Sequence, residues 1–155
     1  MATNMTDSKK SRLATLCALY FSQGVPWAFI TVAFVAVLVE NDSIVDDQVA
    51  ALTLAGTLPW MFGKLVLGPL IDRIRFPAYG LRRPWIIIAQ LGMIFTMAAF
   101  LTLEDPLADG NLEAGLSTIM LFFLIHNIFA TLQDVSSDAL AVDLRLLLGE
   151  DARGE

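Results

Sequence analysis

Gly68-Pro69-Leu70-Ile71-Asp72-Arg73, continued after six residues by Gly80-Leu81-Arg82-Arg83-Pro84-Trp85, is a short basic loop between two apolar runs. Each run is long enough to cross a bilayer, which takes about 20 residues at about 1.5 Å each. Working outward from the loop, four segments reach that length: 13–39, 49–71, 85–103 and 116–136. The spacing predicts an all-α integral membrane protein of four transmembrane helices with short connectors. Gly56, Pro59, Gly63 and Gly68 in the second segment would weaken a soluble helix. In a membrane bundle they let neighbouring helices approach and bend.

Composition agrees. Apolar residues make up 56% and charged residues 17% of the chain, and the mean hydropathy is well above zero, values outside the range of soluble domains. The net charge of −6 does not mark a soluble acidic protein, because the charges are confined almost entirely to the ends and connectors. Cys17 is the single cysteine, so no internal disulfide can form, and it is read as a small apolar packing residue. Residues 1–12 are polar and end in Lys9-Lys10-Ser11-Arg12. The apolar run that follows far exceeds a signal-peptide core and lacks a small-x-small cleavage site, so it is read as an uncleaved first span.

Lysines and arginines fall on one side of the four spans. Lys9, Lys10 and Arg12 precede the first, Arg73, Arg75, Arg82 and Arg83 lie between the second and third, and Arg145 and Arg153 follow the fourth. Lys64 is expected to snorkel to the same side. The opposite connectors hold only acids: Glu40, Asp42, Asp46 and Asp47, then Glu104, Asp105, Asp109 and Glu113. The positive-inside rule puts both termini in the cytoplasm.

Three places can carry chemistry. In the loop, Asp72 and the arginines either anchor the connector or form ion pairs that break when the bundle rearranges. In the fourth segment, Asn127, Asp134, Asp138 and Arg145 share one helical stripe and His126, Gln133 and Ser137 the adjacent one. A polar stripe on an apolar helix belongs against protein or a watered cavity. Asp134 is placed in the inner part of the membrane, about 27 Å from Leu116. It is either a desolvated carboxylate that exchanges protons or a structural acid paired with Lys64 or Arg145. His126 and Asp138 are further proton-coupling candidates, with a helix-to-helix hydrogen bond as the alternative for His126. In the first segment, Gln23 lies close to the midplane, and Gly24 and Pro26 beside it can break the helix and free carbonyls. Tyr20, Gln23, Trp27 and Gln133 are the substrate-facing candidates, a packing kink at Gln23 being the alternative. Trp85 is read as an interface anchor. One histidine without a neighbouring Cys or acid cluster makes no metal site, and no cofactor or nucleic-acid partner is expected.

The pattern Gly68-x-x-x-Asp72-Arg73…Gly80-x-Arg82-Arg83 resembles the signature between the second and third helices of the major facilitator superfamily. With Arg75-Phe76-Pro77-Ala78-Tyr79 inserted, it resembles the branch of AmpG-type muropeptide permeases and acetyl-coenzyme A transporters. Leu19-Tyr20-Phe21-Ser22-Gln23-Gly24-Val25-Pro26-Trp27 and Gln133-Asp134-x-x-x-Asp138-Ala139-x-Ala141-Val142-Asp143 agree with that branch. Disaccharide–cation symporters carry a similar loop.

The resemblance implies a proton-driven secondary permease of the bacterial inner membrane. It would work by alternating access on a bulky amphipathic solute such as a muropeptide or an acyl-coenzyme A. It also implies a cytoplasmic charge network of Gly68, Asp72, Arg73, Arg82 and Arg83, with Asp143 as an acidic partner. On this reading residues 13–148 are part of an incomplete six-helix N-terminal domain, and residues 149–155 begin a cytoplasmic connector. The chain is then an N-terminal fragment whose function needs further helices. The alternatives are a non-transporting four-span fragment and a disaccharide–cation symporter fragment. No Gly-x-x-x-x-Gly-Lys loop supports ATP hydrolysis, and no nucleophile–base pair suggests an enzyme.

The topology predicts that a reporter fused after Arg153 is cytoplasmic and that one inserted near Asp46 is not. The reverse labelling would overturn it.

Overall fold

A computed structural model describes residues 2–40, 44–74, 76, 80–101 and 112–151, with side chains at 10–40, 44–74, 76, 80–101 and 115–145. In hydrocarbon a backbone can satisfy its polar groups only within a helix or a closed barrel. The apolar runs accordingly fold as α1 (Ala2–Ala28), a π-helical turn (Phe29–Phe34), α2 (Val35–Glu40), α3 (Asp46–Arg73), α4 (Arg83–Leu101) and α5 (Leu112–Asp151). Four stretches are long and apolar enough to span a membrane: Lys10–Glu40, Asp46–Arg73, Arg83–Leu101 and Gly115–Arg145. The protein is all-α among the described residues, apart from one isolated bridge between Phe76 and Gly80. The expected ends of the third span, Thr102 and Leu103, lie outside the described residues, as do Arg75, Arg153 and the connector acids Asp42, Glu104, Asp105 and Asp109.

Two elements depart from the sequence expectation. The fourth helix does not stop near Ser136 but runs on to Asp151. Between Gly115 and Gly149 it contains neither glycine nor proline, so nothing ends it. The first span is not broken at Gly24 and Pro26 either. The α-helix continues through Pro26 to Ala28 and passes into the π segment at Phe29–Phe34. There the Thr31 hydroxyl donates to the Trp27 carbonyl at 2.7 Å.

The long helix is central. Half of its apolar window is buried (50%), against 22%, 17% and 28% in the other three spans, and it packs on α1, α3 and α4. At the acidic end Ile30, Leu52, Leu116, Ile119 and Phe123 form one apolar cluster. Toward the basic end Ile71, Trp85, Ala89 and Leu132 form another. Trp85, in the first turn of α4, is 9% exposed and edge-on to Phe76, with ring centroids 5.7 Å apart.

Close helix approach occurs at Gly63 and Gly92 rather than at Gly68. A Cβ on Gly63 would lie 2.9 Å from the Thr131 methyl, one on Gly92 would overlap the Phe129 ring, and one on Gly68 would meet nothing within 4 Å. Overpacking a tight contact costs about 1–3 kcal/mol, whereas helical Gly→Ala in open space stabilises by about 0.5–1 kcal/mol. Gly92→Val should therefore lower the thermal midpoint in detergent and Gly68→Ala should leave or raise it. Equal midpoints for Gly92→Val and the parent would refute the α4–α5 packing.

Candidate functional site

The polar stripe of α5 divides between two neighbours. Toward α1 and α3, Asp134 accepts a hydrogen bond from Gln23 Nε2 at 2.7 Å and pairs through its other oxygen with Lys64 Nζ at 2.5 Å. Asp138 lies one turn further on. It accepts from the Tyr20 hydroxyl at 2.5 Å and stands 3.8 Å from the same ammonium. Gln133 Nε2 donates to the Leu19 carbonyl at 2.8 Å and to Ser22 Oγ at 2.9 Å, tying α5 to α1. Lys64 is nine residues before Arg73 in α3, about 14 Å from the basic end. Because Gln23 touches Asp134, the two occupy one layer rather than the different depths expected from residue counting.

Lys64 does not snorkel outward. It turns toward the two acids, because a buried carboxylate recovers its desolvation cost only through a close counter-charge. Two carboxylates and one ammonium leave this cluster one unit negative. Asp134 is buried, but the Lys64 and Asp138 side chains remain 45% and 52% exposed. Such a face is too costly to present to hydrocarbon, so it borders water or further protein.

Beside the cluster lies a cavity of about 280 Å³ lined by Tyr20, Gln23, Gly24, Trp27 and Trp60. The rings of Trp27 and Trp60 meet edge to face with centroids 6.3 Å apart. Lys64 Nζ stands 5.5 Å from the Trp60 centroid, a cation–π distance. Trp60 Nε1 donates to Asn127 Oδ1 at 3.2 Å, and Asn127 in turn donates to the Phe123 carbonyl at 2.8 Å. Three of the substrate-facing candidates, Tyr20, Gln23 and Trp27, therefore share one cavity, while Gln133 sits behind it as a helix-to-helix strut.

His126 lies on the other side of α5. Its Nδ1 is 2.9 Å from Thr96 Oγ1 of α4, and among the described residues no hydrogen bond joins it to Asp134. No group of three His, Cys, Asp or Glu side chains among the described residues could hold a metal ion.

At the basic end a second charge cluster joins α3, the loop and α5. Arg82 Nη1 donates to Asp72 at 2.5 Å and Arg82 Nε donates to Asp143 at 3.2 Å. Burial alone would lower the Arg82 pKa, but the hydrogen bonds to Asp72 and Asp143 outweigh it and raise the value above the ordinary one. Gly80, at φ +82°, supplies the left-handed turn that brings the chain back before Arg82. Of the expected network, then, Asp72, Arg82 and Asp143 meet. Arg73 and Arg83 are exposed and make no ion pair among the described residues, and Gly68 faces open space.

The sequence reading offered Lys64 as one of two alternative partners of Asp134, and it did not bring Trp60 to Lys64 or Thr96 to His126. A signal existed for Lys64. A lone cation within an apolar helix needs a counter-charge, and Asp134 and Asp138 lie at a comparable distance from the basic end of their own helix.

Four helices long and apolar enough to span a membrane, three of which meet at a half-exposed charge cluster beside a cavity, are the parts of a multi-pass membrane carrier. The family described as acetyl-coenzyme A transporter 1 matches residues 12–148, and the chain belongs to that family of membrane transporters. No solved structure matches it.

Removing one member of a buried pair strands the other, and half-exposure of Lys64 moderates the effect. Lys64→Met should destabilise the protein by about 2 kcal/mol, and adding Asp134→Leu should restore most of that loss in a thermal-unfolding cycle. Strict additivity of the two substitutions would show that the pair does not form.

Proposed function

We propose that this chain contributes the solute-facing half of a secondary transporter of the major facilitator type that carries an acyl-coenzyme A ester in exchange for, or together with, a proton. The observation that carries the reading is the half-exposed cluster of Tyr20, Gln23, Lys64, Asp134 and Asp138 within the transmembrane layer. A net negative site at that depth has no use in a purely structural bundle and invites a proton or another cation. Family membership supports a coenzyme A ester over a muropeptide or disaccharide.

Within the cluster, Asp138 is the better proton acceptor. Lys64 neutralises Asp134 at 2.5 Å but stands 3.8 Å from Asp138, so Asp138 keeps the uncompensated charge. The Asp72–Arg82–Asp143 cluster is the gate: it holds α3, the loop and α5 together at the basic end, which the distribution of arginines makes the cytoplasmic end. Opening that end requires breaking pairs around an arginine that stays charged. Further helices, rather than lipid, cover the exposed polar face.

The complete transporter, reconstituted in liposomes, tests this with labelled acetyl-coenzyme A. Asp138→Asn is expected to abolish stimulation of uptake by a pH gradient while sparing exchange of labelled for unlabelled solute. Asp72→Asn is expected to slow both by about 10-fold or more without loss of membrane insertion, as when a charged pair of about 1.5–3 kcal/mol is lost. Gradient-driven uptake by Asp138→Asn at the parental rate would remove Asp138 from the coupling step.

A further inference from the structure

Among the described residues α1 and α4 each pack on α5 but not closely on each other, which leaves a crevice between them. Two cavities of about 460 Å³ and 540 Å³ lie along it, and no residue of α3, which carries Lys64, lines either one. At the basic end the walls are Arg12, Leu16 and Leu19 of α1 and Arg83, Ile86 and Ile87 of α4, spaced as one face of each helix. The second cavity begins one turn further along the same faces, at Ser22 and Gln90. Charge is confined to one end of this crevice. Arg12 and Arg83 are its only charged lining residues, and no acid lines either cavity. Neither arginine makes an ion pair among the described residues. Asp143, which shares a neighbouring cavity with Arg83, is taken by Arg82 at 3.2 Å.

We infer that this crevice is a binding site for one anionic phospholipid, its phosphate between Arg12 and Arg83 and an acyl chain laid between α1 and α4. A guanidinium presents paired N–H donors that match phosphate oxygens, and basic pockets between membrane helices take lipid headgroups. The depth agrees. Arg12 lies near the start of the first span and Arg83 opens the third, which is headgroup level. Met93, on the wall of the second cavity, is ten residues beyond Arg83, about 15 Å and so half of a hydrocarbon core of about 30 Å. One acyl chain reaches that far. Ile88, Leu91, Ile94 and Phe95 beside the crevice are apolar and exposed, so a lipid enters from the side. A soluble anion would satisfy the arginines but leave the apolar walls uncovered. A further helix would cover the walls but leave two unpaired cations. A phospholipid does both.

Native mass spectrometry of the purified, delipidated protein in detergent tests the site by titration with dioleoyl phosphatidic acid. One copy is expected to bind per chain, and dioleoyl phosphatidylcholine is expected to bind more weakly. Arg12→Gln and Arg83→Gln should each weaken phosphatidic acid binding about five-fold, and together about 25-fold, with the thermal midpoint unchanged. Arg73→Gln removes an exposed arginine at the same end but outside the crevice, and should leave binding as it is. Glycerol 3-phosphate and coenzyme A, which carry phosphate without an acyl chain, should not displace the lipid at equal concentration. Equal binding of the two lipids, parental binding by the double variant, or an equal loss in Arg73→Gln would each overturn the site. Displacement by either soluble phosphate would assign the arginines to a soluble anion instead, and absence of any bound lipid would leave the crevice to a further helix; both results overturn the proposal. None of these readings depends on uptake, so their failure leaves the transport function standing.

Discussion

Asp134 is a carboxylate inside an apolar bundle, and the need to neutralise it dictates how three of the four spans meet. Lys64 comes from α3 and Gln23 from α1, and both reach the two oxygens of this one side chain. In a medium of low dielectric the alternative to pairing is a cost of several kcal/mol per ion. The helices are therefore keyed to one another at this layer, and the apolar contacts above and below it follow. The small residues serve the same end: without Gly63 against Thr131 and Gly92 against Phe129, α3 and α4 would stand further from α5.

Two charge clusters link α3 to α5, and their spacing couples them. Lys64 and Asp72 are eight residues apart on α3, and Asp134 and Asp143 are nine apart on α5. At about 1.5 Å per residue the clusters stand about 12–14 Å apart along the bundle. A rigid-body tilt of α3 against α5 must disturb both. A change at the Asp134 cluster is therefore felt at the Asp72–Arg82–Asp143 cluster through two stiff helices. The long α5 makes the linkage continuous, because nothing between Gly115 and Gly149 interrupts it.

Much of the candidate site was legible before any coordinates. Gln23, Asp134 and Asp138 stand out because a polar side chain within an apolar span is expensive, and Asp72 and Arg82 because they flank a turn between two spans. Residue counting went astray where it was used for depth: Gln23 was placed at the midplane and Asp134 nearer one face, yet they touch. Helices of different length and tilt do not share an origin, so a count along each cannot align them. Lys64 is expected either to snorkel or to pair with Asp134, and the buried carboxylate decides for the pair. His126 shared its helix with the acids, but a helix has several faces and this one points to Thr96 of α4.

The sequence by itself determined the class of structure. Runs of about 20 apolar residues must be helical in a bilayer, and the charges must lie at their ends or be paired. Only the tertiary structure decided which polar groups meet. Lys64 with Asp134, Tyr20 with Asp138, Arg82 between Asp72 and Asp143, and the cavity between Trp27 and Trp60 each join residues from different helices. Periodicity tells which residues share a face of one helix, but the neighbour that face meets is set by packing, and packing is a property of the whole bundle.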